Sequence, residues 1–287
     1  GVALITPFKE DESVDYDALM RLVDYQLQNN TDFLCVLGTT AETPTLTEDE
    51  KKKIKKMVIE RVNGKIPILL GVGGNNTRAV VDTLKNDDFT GVDAILSVVP
   101  YYNKPSQKGM IEHFSAVAES VDIPVIIYNI PGRTGVNMLP ETVAALAEKY
   151  QNIVAVKQSY PDMDMITEMK LCCPEDFTIY SGDDSLTLPM MSLGARGVIS
   201  VASHIFGSEV KSMIRNYKTG EFLAAVNMHK KLYPVFKKLF MAPNPVPVKA
   251  ALAHKGIIED FVRKPLVELT SIEKTDLFMV IDEVKND

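Results

Sequence analysis

The sequence predicts a (β/α)8 barrel with a C-terminal helical extension, and three observations lead there. Apolar, strand-like runs alternate with amphipathic, helix-like segments from Val2 to Tyr217. Eight such pairs fit into about 220 residues, the number and size that close into a barrel. After Gly220 the strand rhythm stops and only helical periodicity remains. Residues 1–220 are therefore expected to form the barrel and residues 221–287 a helical domain. A doubly wound open sheet would show the same alternation, but no glycine-rich nucleotide turn follows the first strand.

Each element has its own justification. "VALITPF" (Val2–Phe8) reads as a strand, followed by an amphipathic helix from Asp15 to about Asn29. "FLCVL" (Phe33–Leu37) precedes a helix opened by Thr47 with Glu50 three residues on, the spacing of a capping box. "IPILLGV" (Ile66–Val72) leads to a helix over Thr77–Lys85, and "GVGGNN" (Gly71–Asn76) between them is read as a tight turn. "DAILSVVP" (Asp93–Pro100) is paired with a helix over Gln107–Ser120. "IPVIIYN" (Ile123–Asn129) precedes a helix that starts at Pro140, a residue suited to a first helical turn. "NIVAVK" (Asn152–Lys157) is followed by a helix over Met163–Leu171, and "FTIYSG" (Phe177–Gly182) by one over Leu186–Leu193. "GVISV" (Gly197–Val201) and a helix over Ser208–Tyr217 complete the eight units. Beyond them, Glu221–Phe240, Val246–His254 and Ile272–Val284 read as helices.

Composition narrows the function. The apolar share of 46% and charged share of 24% are those of an ordinary globular protein. A net charge of −7 without a long basic run argues against nucleic acid and anionic membrane as partners. No membrane span or signal peptide is visible, and the start at Gly1 rather than methionine leaves the native beginning expected upstream. Cys35, Cys172 and Cys173 make an odd, sparse set, which fits a reducing cytoplasm better than a disulfide framework. The four histidines are scattered, and no metal is expected.

In a barrel, chemistry belongs at the C-terminal ends of the strands. There the apolar run Ile153–Val156 closes on Lys157. Such a lysine can simply reach into water. Held in a dry pocket, it loses its proton and becomes a nucleophile. The second strand ends in "GTTAE" (Gly38–Glu42), whose N–H groups and hydroxyls can cradle a small carboxylate or merely cap a helix. "PYYNKP" (Pro100–Pro105) and "YNIPGRTG" (Tyr128–Gly135) bring phenols that can relay protons and Arg133, which can clamp a carboxylate. Each has a plain surface reading alone; together they describe a site that handles a carbonyl.

These motifs, with "YSGDD" (Tyr180–Asp184) and "GVISV", follow the order and spacing of the dihydrodipicolinate synthase family. "NPVPVKAAL" (Asn244–Leu252) resembles that family's C-terminal region, so the resemblance runs end to end. It implies a class I aldolase-type barrel that condenses pyruvate with L-aspartate 4-semialdehyde on the way to diaminopimelate and lysine. It also implies a homotetramer built as a dimer of dimers, and no cofactor beyond the covalent pyruvate imine. By the same resemblance Lys157 is the Schiff-base lysine and Tyr128 the proton-shuttling phenol. Thr40 links Tyr128 to a second tyrosine, matched by Tyr102, which reaches in from a neighbouring subunit. Thr39 and Thr40 resemble the pyruvate-carboxylate cradle, Arg133 the receiver of the aldehyde's carboxylate, and Gly182 and Ile199 the lining of the pyruvate pocket.

The same scaffold hosts N-acetylneuraminate lyase and other keto-acid aldolases, so the substrate is a separate question. Arg133 favours the synthase, since a small aldehyde bearing a carboxylate wants a guanidinium at the mouth. From another class, a catalytically silent keto-acid-binding regulator would take up pyruvate without turnover. Gln158, where many relatives carry an acid, and "FTGVDAIL" (Phe89–Leu96) depart from the pattern. Asn75 and Tyr101 match the family's lysine-inhibition cleft, but Ala79 stands where sensitive members carry an acid. Weak or absent inhibition by lysine is therefore expected, and submillimolar inhibition in a steady-state assay would refute it.

Overall fold

The computed structural model describes residues 1–286. Its strands are β1 (Val2–Ala3), β2 (Leu34–Val36), β3 (Ile68–Gly71), β4 (Ala94–Val98), β5 (Val125–Asn129), β6 (Ile153–Gln158), β7 (Thr178–Ser181) and β8 (Gly197–Val198). They form one parallel sheet in the order β1 to β8. Ser200, just beyond β8, bridges in parallel to Val2 of β1, so the sheet closes into the expected (β/α)8 barrel. Parallel strands covered on both faces need apolar residues at every position, which is why these runs do not alternate.

Several strands are shorter than their apolar runs. At β1 the Leu4 N–H still reaches Cys35 O, but the Ile5 N–H turns to His204 Nε2 at 3.2 Å. Thr6 Oγ1 donates to Ala41 O at 2.8 Å and Pro7 has no N–H to give. The run stays buried after it has left the ladder.

The chain divides into two compact units, residues 1–67 with 200–287, and residues 68–199. The first holds α1 (Tyr16–Gln28), capped by Asp15, and α2 (Glu48–Val62), where the Thr47–Glu50 capping box forms as predicted. It also holds α9 (Ser203–Lys218), α10 (Phe222–Lys238), α11 (Val246–His254) and α12 (Ser271–Asn286). Within it α10 packs on α9 and α12, and α11 on α9 and α12. Leu4, Leu19, Leu22, Leu34 and Ile54 are fully buried there. Each such side chain is worth about 1.5–3 kcal/mol over exposure.

The second unit holds α3 (Thr77–Asn86), α4 (Gln107–Ala118), α5 (Pro131–Thr134), α6 (Pro140–Lys149), α7 (Met163–Cys172) and α8 (Thr187–Ser192). Helices α3, α4, α6 and α7 pack each on the next, and Leu70, Ile95 and Phe114 are fully buried in this unit. Two helices differ from the sequence reading. α9 begins five residues earlier than Ser208, because a first turn holding His204 joins it across a kink at Phe206. α5 is a single turn started by Pro131 and ended by Gly135 in the left-handed conformation.

Candidate active site

The second unit places its chemistry on the ends of β5, β6 and β7. Register sets Tyr128 opposite Lys157 and Lys157 opposite Tyr180. Lys157 is 5% exposed, and its Nζ lies 4.3 Å from the centre of the Tyr128 ring. No ion pair of Lys157 occurs among the described residues. The aromatic face is a favourable neighbour for the lysine nitrogen. Gly182, just after β7, makes room for this arrangement. A Cβ there would lie 3.0 Å from Lys157 Cε and 1.9 Å from Ser159 Oγ. Ile199 is buried after β8, its N–H donating to Ser181 O at 2.9 Å.

On the opposite face of the same strands, Asn129 and Gln158 are fully buried and in register. Asn129 Nδ2 donates to Gln158 Oε1 at 3.0 Å, to Asn137 Oδ1 at 2.9 Å and to Met138 O at 3.1 Å. The Met138 N–H returns a bond to Asn129 Oδ1 at 3.2 Å, and Gln158 Nε2 faces Met165 Sδ at 3.3 Å. Gln158 thus points away from Lys157 and supplies a neutral amide where a carboxylate would be buried. The clamp fixes the two strand ends that carry Tyr128 and Lys157.

Arg133 is exposed on α5. Tyr102 does not join the buried group of its own chain. It is 87% exposed with φ of 73°, in the left-handed region that bulky residues avoid. Its N–H donates to Thr134 O at 3.4 Å, which ties its loop to the turn that bears Arg133.

In the first unit, Thr39 and Thr40 form a 3₁₀ turn over Thr39–Ala41, directly after β2. Leu37 (φ 58°) and Glu42 (φ 54°) bracket the turn, both left-handed without being glycine. Such strain persists only where the surroundings enforce it. Thr43 Oγ1 donates to Gly38 O at 2.7 Å, and Asn244 Nδ2 donates to the buried Thr40 Oγ1 at 2.9 Å. Glu42, 4% exposed, is held by fully buried Lys249 on α11, Nζ to Oε1 2.5 Å, and by the Arg263 N–H at 3.0 Å. Lys249 Nζ also donates to Phe261 O at 2.9 Å and lies 4.1 Å from the Phe8 ring centre. Burial pushes the Lys249 ammonium down to about 8, against the pull of Glu42. Asn244, Lys249 and Glu42 were not singled out as site residues by sequence reasoning, although "GTTAE" and "NPVPVKAAL" contain them.

Among the described residues no group of three His, Cys, Asp or Glu could hold a metal, and no helix is long and apolar enough to cross a membrane.

A closed β/α barrel with a buried lysine facing a phenol at its strand ends defines a barrel enzyme. The chain belongs to the dihydrodipicolinate synthetase family, whose model matches residues 1–284, and is an enzyme of the lyase class. It is 56% identical to the 4-hydroxy-tetrahydrodipicolinate synthase of Phocaeicola vulgatus, across 99% of this chain and 96% of that protein. The Bacillus subtilis protein of the same name is 48% identical across 99% of this chain and 98% of its own length. The crystal structure of dihydrodipicolinate synthase from Aquifex aeolicus matches with a TM-score of 0.96 at 47% identity, covering 99% of this chain and 97% of that one.

Proposed function

We propose that the protein catalyses the 4-hydroxy-tetrahydrodipicolinate synthase reaction, condensing pyruvate with L-aspartate 4-semialdehyde through an imine on Lys157. The observation that carries this reading is Lys157 itself, buried near the end of β6 with its amine over the Tyr128 ring and, among the described residues, no ion pair. The amine attacks the ketone carbon of pyruvate and water leaves, giving the iminium. Loss of a methyl proton yields the enamine, whose carbon attacks the aldehyde. The amino group of the semialdehyde then displaces Lys157, closing the ring and freeing the enzyme.

Tyr128 carries protons in these steps. Thr39 and Thr40 receive the carboxylate of pyruvate, with Thr40 linking Tyr128 to Tyr102, and Gly182 and Ile199 line the space for the pyruvyl group. Arg133 receives the carboxylate of the aldehyde. The iminium is its own electron sink, so the reading needs no cofactor. A cytoplasmic homotetramer fits it, and the 87% exposure of Tyr102 supports a role in a neighbouring subunit.

Offering the enzyme pyruvate with either L-aspartate semialdehyde or N-acetylmannosamine tests the substrate. Turnover with the semialdehyde alone is expected. Turnover with the amino sugar alone would overturn the synthase reading in favour of a sialic-acid aldolase.

A further inference from the structure

Ser159 is the residue whose chemistry the proposed roles leave unused. It lies two positions beyond Lys157, so the two side chains share a face of the extended chain. Its N–H donates to Asn129 O at 2.9 Å, which keeps the backbone in register with β5. Its Oγ is buried and, among the described residues, has no hydrogen-bond partner. A buried hydroxyl left unpaired is unfavourable, and in an active site it marks a place where a ligand supplies the partner. The position is well defined: the point a Gly182 Cβ would occupy is 1.9 Å from Ser159 Oγ and 3.0 Å from Lys157 Cε. The hydroxyl and the last carbon before the reactive nitrogen therefore flank the same small volume.

We propose that Ser159 is a substrate-contacting residue, its hydroxyl donating a hydrogen bond to the aldehyde oxygen during carbon–carbon bond formation; this rests on the imine at Lys157. Ser159 stands beyond the last residue of β6, nearer than the Lys157 backbone to the strand ends where the second reactant of a barrel enzyme arrives. In that step the enamine carbon bonds to the aldehyde carbon and the carbonyl π pair moves onto oxygen. The nitrogen of Lys157 is left as the iminium. A fixed neutral donor at the oxygen stabilises the charge it gains. The hydroxyl keeps its own proton, and the proton the oxygen finally takes comes from Tyr128.

The test compares Ser159→Ala and Ser159→Cys with the parent enzyme in two measurements, aldehyde kinetics at saturating pyruvate and the rate of borohydride trapping with pyruvate alone. S159A is expected to lower kcat/KM for the aldehyde about tenfold. Its trapping rate should stay at the parent value, which also shows that the variant is folded. S159C, with a weaker S–H donor, should fall between the two and serves as the readout if S159A does not fold. Slowed trapping in a folded S159A would place the hydroxyl on pyruvate and overturn the assignment to the aldehyde. Parent-like aldehyde kinetics with normal trapping would overturn the role of Ser159 alone. Absence of trapping in the parent enzyme would remove the imine, and the Ser159 proposal with it.

Discussion

Lys157 and Lys249 are both buried, one in each compact unit, and their surroundings differ in a way that separates chemistry from architecture. Lys249 Nζ meets the Glu42 carboxylate at 2.5 Å and the Phe261 carbonyl at 2.9 Å, so its charge has a partner and a job as a fastener. It ties α11 to the strained residue that ends the Thr39–Ala41 turn. Lys157 has an aromatic face at 4.3 Å, no ion pair among the described residues, and a glycine where a side chain would crowd it. A buried lysine with a matched acid holds structure, while one without an acid is available for reaction.

Methionine substitutions should split the two. Lys157→Met is expected to abolish turnover, by about 10⁴-fold or more, since the covalent route is lost. It should also raise the denaturant midpoint, because an apolar side chain replaces a buried amine. An active K157M enzyme would break the comparison outright. Lys249→Met leaves Glu42 buried and unpaired, and should cost about 3–5 kcal/mol in denaturant unfolding. Adding Glu42→Gln removes the orphaned charge and should recover most of that loss. If the double variant is as unstable as K249M, Lys249 contributes packing rather than a charge partner.

A smaller effect sharpens the picture of the fastened unit. Arg263 grips both oxygens of Glu50, at 2.8 and 2.5 Å, and that hydrogen-bonded guanidinium holds the carboxyl down at about 2 against an ordinary 4.5. A carboxyl depressed by folding contributes stability that is complete above 4.5 and is lost as pH falls towards 2. Thermal unfolding in pH steps across that window should show a shallower acid decline in Glu50→Gln than in the parent. Equal slopes would mean that other carboxylates govern acid unfolding.

The fold was legible because eight apolar runs, each followed by an amphipathic segment, leave few ways to bury both faces of a sheet. Where the reading overshot, as at Val2–Phe8, burial continues past the point where hydrogen bonds leave the ladder, and hydropathy cannot see that change. α5 escaped because four residues carry no periodicity. Lys157 was legible as a charge closing an apolar strand. The bond from Asn244 to Thr40 spans 204 residues of sequence and has no local signature. Glu42 and Lys249 were hidden for the same reason, since each alone reads as a surface charge. Ser159 looks like any loop serine until Gly182 is placed against it.

The central claim is that Lys157, and not the more deeply buried Lys249, is the nucleophile. Borohydride reduction in the presence of pyruvate, followed by intact-mass and peptide analysis, tests it directly. The predicted result is a single reduced pyruvate adduct per chain, located on the peptide that carries Lys157. An adduct on Lys249, or none on folded enzyme, would contradict the account.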